Sequence, residues 1–168
     1  MDPAALKDWK GRSAPSSRRR ARELGLTLIE LLIVIALLGI IAAIVVPAVY
    51  QQLERIKVRR AIADLVVIEF AVERYEDENE SLPESFDDLA QAPRIDPWGR
   101  AYVYFKFGGP GWRGRARKDR FLVPINSTFD LYSIGRDGDS RPPLQNPKSL
   151  DDIVRANDGA FYGLGRDF

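Results

Sequence analysis

The chain has 168 residues, a formal net charge of +1, and neither Cys nor His, which leaves room for one ordinary domain plus an extra segment. Without Cys a disulfide-stapled domain is excluded, and without either residue so are zinc sites of the usual kind and Cys- or His-based catalysis. Any metal must be a hard cation held by oxygen.

The near-neutral total hides an asymmetry. Residues 1–25 carry Lys7, Lys10, Arg12, Arg18, Arg19, Arg20 and Arg22 against Asp2, Asp8 and Glu23, and the remainder is slightly acidic. A basic head before an apolar segment is a membrane-orientation signal, because Lys and Arg resist translocation. Nucleic-acid binding by Arg18–Arg20 is the competing reading, and the adjacent apolar run makes it the poorer one; no nucleic acid is expected as a partner.

Leu31 to Val46 runs without a polar side chain, and with its flanks the segment covers 26–50. About 20 residues at a rise of about 1.5 Å cross a bilayer, so this segment suffices. From Leu53 the pattern becomes one-sided. Leu53, Ile56, Ile62, Leu65, Val66, Phe70 and Val72 recur at helical spacing, with Glu54, Arg55, Lys57, Arg59, Arg60, Asp64, Glu69 and Glu73 filling much of the other side. Pro47 alone interrupts the two halves, and a proline bends a helix axis often without ending it. The expectation is one long, kinked helix from near residue 26 to near Asp77, bent at Pro47.

Pro83 opens a short helix over 84–90, and Asp96-Pro97-Trp98-Gly99 is a turn. Tyr102–Phe105, Phe121–Val123 and Phe129–Ser133 read as strands. Gly108–Lys118 is a basic, glycine-rich loop, and the loop after Gly135 carries Pro142, Pro143 and Pro147. A turn signal at Asn157-Asp158-Gly159 precedes apolar residues expected to pack on the sheet. The fold class is therefore α+β, a long helix packed on a small antiparallel sheet.

Residues 20–30, Arg-Ala-Arg-Glu-Leu-Gly-Leu-Thr-Leu-Ile-Glu, resemble the class III leader of type IV pilins and type II secretion pseudopilins. The resemblance implies cleavage by a prepilin peptidase after Gly25 and N-methylation of the new first residue, Leu26, which in the family is usually Phe. Thr27 and Glu30 fit the assembly part of the motif, and Pro47 coincides with the family's helix proline. A carboxylate inside a membrane segment is costly and is expected to gain a partner. The resemblance names it as the amino terminus of a neighbouring subunit; the alternative is a solvated Glu30 at the headgroup boundary.

Asp96–Gly99 with Tyr102 and Tyr104, then Asp130–Gly138, then Asp152-Ile153, look like the major pseudopilin of the type II secretion system. That implies the type IV pilin-like fold, a leader over 1–25, a transmembrane polymerisation helix over 26–50 and a periplasmic domain over 51–168. Within it, 51–77 is amphipathic helix and 95–168 holds the sheet and Asp-rich loop. It also implies a subunit of a helical homo-oligomeric filament, single-pass in the inner membrane with its C-terminal domain periplasmic. The implied partners are minor pseudopilins, the prepilin peptidase, the inner-membrane assembly platform with its ATPase, and the outer-membrane secretin.

Major pseudopilins bind calcium in the corresponding loop. The implied ligands are the side chains of Asp137, Asp151 and Asp152 with the Ile134 carbonyl nearby, and Asp139 is added by proximity. Oxygen-rich loops of this kind suit Ca²⁺, and four solvated loop acids are the alternative. A type IV pilus subunit for adhesion, motility or DNA uptake is the runner-up, favoured by basic residues 112–118 and opposed by the missing cysteines. A membrane-anchored enzyme using Asp151 and Asp152 is a third class. Adjacent acids in a loop point apart and nothing else forms a site, so no enzymatic activity is expected.

Overall fold

The computed structural model describes residues 25–168. The expected leader thus lies outside the described residues except for Gly25. The first element, α1, spans Leu28–Asn79 and contains Pro47, which does not end it. Thr27 starts it: its Oγ1 accepts the Glu30 backbone N–H at 3.2 Å, while its own N–H and Oγ1 donate to Glu30 Oε2 at 3.0 and 2.9 Å. This reciprocal arrangement is a capping box, which satisfies donors that a helix start otherwise leaves orphaned.

The chain divides into two units at Ala43/Ile44, against an expected boundary at residue 50; both positions lie inside α1. In the first unit α1 is exposed on every side, Leu31, Leu32, Ile33, Leu37 and Ile40 included.

In the second unit α1 buries one stripe, Ala61, Leu65, Ile68 and Val72, at the three- and four-residue spacing of one helix face. The stripe packs on Tyr102, Phe129, Leu131 and Ile153. Four strands receive it: β1 (Val103–Lys106), β2 (Phe129–Ser133), β3 (Ile153–Ala156) and β4 (Phe161–Leu164). They form an antiparallel meander in chain order, with Tyr104 opposite Leu131, Tyr132 opposite Val154, and Val154 opposite Gly163. A smaller cluster of Ile125, Leu144, Val154 and Ala156 packs with Tyr132, Phe161 and Phe168.

Several sequence expectations are corrected. The helix expected over 84–90 is a single 3₁₀ turn, Phe86–Asp88, capped by Ser85. Phe121–Val123 is not one of the strands, and Phe121 is fully exposed; it lacks a sheet neighbour to complete its hydrogen bonds. The strands absent from the sequence reading are β3 and β4, and the turn signal at Asn157–Gly159 is the hairpin between them. Asn157, Asp158 and Gly159 all take positive φ there. Gly159 is required: a Cβ would lie 2.7 Å from Glu69 Oε1. The basic loop contains a one-turn helix, α2 (Trp112–Arg115).

The amphipathic assignment also needs correcting. Leu53, Ile56, Val66 and Phe70, read as part of the buried stripe, are exposed, Phe70 at 66%. Glu69, read as part of the polar side, is buried. Its Oε1 accepts Arg155 Nε at 2.6 Å, and Arg155 Nη1 also donates to Asn126 Oδ1 and the Phe129 carbonyl. Asp64 likewise faces the sheet, accepting the Tyr102 hydroxyl at 2.8 Å. Polar residues at these two positions serve the helix–sheet contact, and the apolar residues displaced from it point outward.

Candidate functional site

Two regions carry the sequence-predicted functional residues. The first is the start of α1. Gly25 has no atom within 4 Å of where a Cβ would sit, and Leu26 beside it is 80% exposed. Thr27 and Glu30 are brought together, but as partners within one chain: in the isolated subunit the carboxylate caps its own helix. Beyond Glu30 the most apolar 18-residue window of α1 is wholly unburied. A surface so long and apolar is stable only in lipid or against other helices. In the second unit Val49, Leu53, Ile56, Val66, Val67 and Phe70 of α1 are also exposed.

The second region is the loop from Ile134 to Asp152. Gly135 takes φ +67° and packs so closely that a Cβ would lie 2.3 Å from the Asp151 carbonyl oxygen. Any other residue there would both strain the backbone and clash. This contact joins the two ends of the loop. The Asp137 N–H donates to Asp151 Oδ2 at 2.9 Å, and Asp137 Oδ1 accepts the Asp139 N–H at 2.8 Å. Arg100 clasps the same corner, with Nη1 donating to the Gly135 carbonyl at 2.6 Å. Arg100 itself is presented by the Asp96–Gly99 turn: Asp96 Oδ1 accepts the Arg100 and Trp98 N–H groups, and Oδ2 accepts the Ser133 hydroxyl. Trp98 Nε1 ties this turn to α1 by donating to Glu54 Oε2 at 3.0 Å.

The five expected calcium ligands do not gather as one set. Asp139 is ion-paired with Lys148, which holds its carboxyl below the ordinary carboxylate range. Asp152 turns into the interior, 0% exposed, where its Oδ2 accepts Arg117 Nη2 at 2.5 Å and Ser140 Oγ at 2.6 Å. Among the described residues no three carboxylates converge. Asp139 and Asp152 are each paired with a cationic side chain, Lys148 and Arg117. Asp137 and Asp151 stay together at the loop junction, beside Gly135 and Ile134. Asp152 Oδ1 is buried with no hydrogen-bond partner among the described residues.

Arg117 belongs to the basic stretch of the sequence, yet it is 2% exposed. Its Nη1 donates to Ser140 Oγ and the Arg141 carbonyl at 2.6 and 2.8 Å, its backbone N–H donates to Asp130 Oδ2 at 2.6 Å, and its guanidinium lies 4.4 Å from the Tyr132 ring centre. Burial raises the Asp152 carboxyl above its ordinary value, against the lowering effect of the Arg117 charge. A position within a run of arginines gives no sign of which one turns inward. The rest of the run stays outside: Trp112 stacks on Phe107 at 4.6 Å, Arg113 lies over Trp112, and Arg115 lies over Phe105.

Residues 20–46 match the prokaryotic N-terminal methylation motif. Over 141 residues the chain is 31% identical to the type II secretion system core protein G of Pseudomonas aeruginosa, a match covering 71% of this chain and 88% of that one. It is 32% identical over 139 residues to the core protein G of Klebsiella pneumoniae, covering 79% and 93%. To the Escherichia coli core protein G it is 27% identical over 143 residues, covering 73% and 88%. No solved structure matches the chain.

Proposed function

The chain belongs to the type II secretion system core protein G family, and from that premise we propose that it is a structural subunit that polymerises through α1 into a periplasmic pseudopilus. There it acts as the piston or plug that moves folded proteins through an outer-membrane pore. The observation that carries this reading is the coincidence of the methylation motif with a helix whose apolar surface nothing among the described residues covers. An uncovered rod of that kind is held first by lipid and then by copies of itself.

In this reading the helix anchors the precursor in the inner membrane with its basic head cytoplasmic and its C-terminal domain periplasmic. A prepilin peptidase cuts after Gly25, and the amino group of Leu26 becomes the free, methylated terminus. Glu30 then exchanges its own Thr27 for the amino terminus of a neighbouring copy, which sets the axial position of each subunit as it leaves the bilayer. Pro47 removes one backbone hydrogen bond and is the place where α1 bends to fit its neighbours. Work is supplied by the ATPase of the assembly platform, and minor pseudopilins and the secretin complete the path. The role of the chain is assembly rather than catalysis.

Glu30→Ala tests the reading. The variant is expected to insert and to be cleaved like the unaltered chain, yet to give few or no filaments and little secretion. Abundant full-length filaments from it, seen by electron microscopy, would remove Glu30 from the mechanism. Loss of the helix cap costs about 1 kcal/mol, too little to unfold the subunit, so a failure to assemble reports on contacts between copies.

Calcium enters the proposal at Asp137 and Asp151, with backbone carbonyls such as that of Ile134; when bound it would pin the loop ends together. Two carboxylates make a weaker site than four, since affinity follows ligand charge. Adding a chelator to the detergent-solubilised chain is therefore expected to lower its melting temperature by only a few degrees, and Asp137→Asn should abolish that sensitivity. Melting curves that coincide with and without chelator would retire the metal.

A further inference from the structure

Three arginines from distant parts of the chain meet beside α1 in the second unit. Arg55 of α1, Arg136 from the corner after β2 and Arg166 from the last turn of the chain line one open cavity of about 540 Å³, together with Tyr50, Gln51 and Glu54. All three arginines are exposed, and among the described residues none takes an ion-pair partner. Glu54, the one acid in the lining, is already engaged: Lys57 Nζ lies 3.6 Å from its Oε1, and Trp98 Nε1 donates to its Oε2. Asp137 and Asp167, next in sequence to Arg136 and Arg166, do not line the cavity. Like charges gathered without a counter-charge repel one another and raise the local concentration of anions.

The place of the cavity along α1 says which anion. The apolar run gives way after Val49 to Tyr50, an aromatic of the kind that collects at membrane–water boundaries. Arg55 stands about 9 Å beyond Val49 along the helix axis. Helix side chains lean toward the N-terminus, and a long arginine stem carries its charge further in the same direction. Its guanidinium thereby reaches the headgroup layer, which is about 5–8 Å deep on each side of the hydrocarbon. Arg55, Lys57, Arg59 and Arg60 also stand on the translocated side of the segment, against the usual bias that keeps such residues cytoplasmic. A phosphate diester suits this lining, because guanidinium groups donate to phosphate in pairs. The volume lies in the range of small-molecule sites.

We propose that the cavity formed by Arg55, Arg136 and Arg166 holds an anionic phospholipid headgroup of the leaflet from which α1 emerges. The phosphate meets the three guanidinium groups, and Tyr50 and Gln51 lie on the side nearest the acyl chains. This inference rests on the membrane-anchoring reading above and adds a lipid partner to it. Arg136 follows the Gly135 corner and Arg166 ends the fold, so a headgroup held by all three ties the sheet as well as the helix to the bilayer surface. Salt screens the attraction over about 8–10 Å, so the tie is released once the domain moves away from the membrane.

Native mass spectrometry of the whole chain in detergent, titrated with dioleoylphosphatidylglycerol or dioleoylphosphatidylcholine, tests the site. The unaltered chain is expected to retain the anionic lipid in preference to the zwitterionic one. Arg55→Gln, Arg136→Gln and Arg166→Gln together should cut that preference about tenfold. Arg113→Gln, Arg115→Gln and Arg120→Gln together remove the same charge elsewhere in the domain and should leave it unchanged. The basic head of residues 1–25 is common to every variant, so the difference belongs to the cavity. Arg55→Lys, Arg136→Lys and Arg166→Lys together keep the charge and should retain most of the preference, which a misfolded chain would not. Equal loss in the two glutamine variants would reduce the effect to net charge and overturn the site. Binding of inorganic phosphate with no preference between the lipids would make it a free-anion site and overturn the lipid. A cavity variant that kept the preference yet formed no filaments would assign these arginines to contacts between copies instead. Recovery of the unaltered chain from the soluble fraction of cells, and not from membranes, would fell the anchoring reading and this inference with it.

Discussion

Replacing Gly25 with alanine is expected to leave the chain entirely as uncleaved precursor, with filaments and secretion lost together. The substitution has no structural reason to disturb the fold: no atom lies within 4 Å of the added Cβ, and α1 starts only at Leu28. Under the processing reading proposed above, the effect would fall on recognition by the peptidase rather than on the fold. Without cleavage the Leu26 nitrogen remains an amide, so Glu30 keeps Thr27 as its partner and no neighbour offers a competing positive charge. Intact-mass measurement of the membrane-extracted chain distinguishes the two forms. Mature-length chain in the variant, at the level of the unaltered protein, would defeat the processing assignment.

Replacing Arg117 with methionine is expected to destabilise the C-terminal domain by about 3–5 kcal/mol, because it leaves one member of a buried ion pair uncompensated. For a chain of this size that corresponds to a fall of order 10 °C in melting temperature. Asp152 would keep only Ser140 as a partner while still fully buried. The pH dependence follows from the sign of the shift. Burial already holds the Asp152 carboxyl above 3.8, and losing Arg117 raises it further. A group whose folded value is raised contributes stability fully below its unfolded value and loses it as pH rises through the folded value. The deficit of the variant should therefore be largest at neutral pH and shrink as pH is lowered toward 4. The double variant Arg117→Met with Asp152→Asn should recover much of the loss. Melting curves at both pH values check this, and a deficit independent of pH would mean that Arg117 acts through packing on Tyr132 rather than through the Asp152 charge.

These two predictions draw on different kinds of information. The first was legible in the chain: a glycine, a lone acid five residues on, and an apolar stretch too long for a soluble helix. Each depends on residues adjacent in sequence and on the bilayer, whose thickness is the same for every protein. The long helix, its proline and two of the four strands were legible for the same reason. So was the closeness of Asp137 to its loop partner Asp151, though only as an expectation from resemblance.

What the chain could not announce is which of several equivalent residues faces inward. The periodicity of α1 admits two apolar faces, and only packing against Tyr102, Phe129 and Leu131 chose Leu65, Ile68 and Val72 over Val66 and Phe70. Glu69 and Arg155 are 86 residues apart in sequence, and Arg117 is 35 residues from Asp152. Nothing local distinguishes them from solvated charges. A buried charge is tolerable only where a partner of opposite sign and several hydrogen bonds converge, and that convergence exists only once the sheet has closed on the helix. Local composition thus determined the long apolar segment and the N-terminal methylation motif. Long-range packing decided which charges became internal pins, among them Asp152 with Arg117 and Glu69 with Arg155.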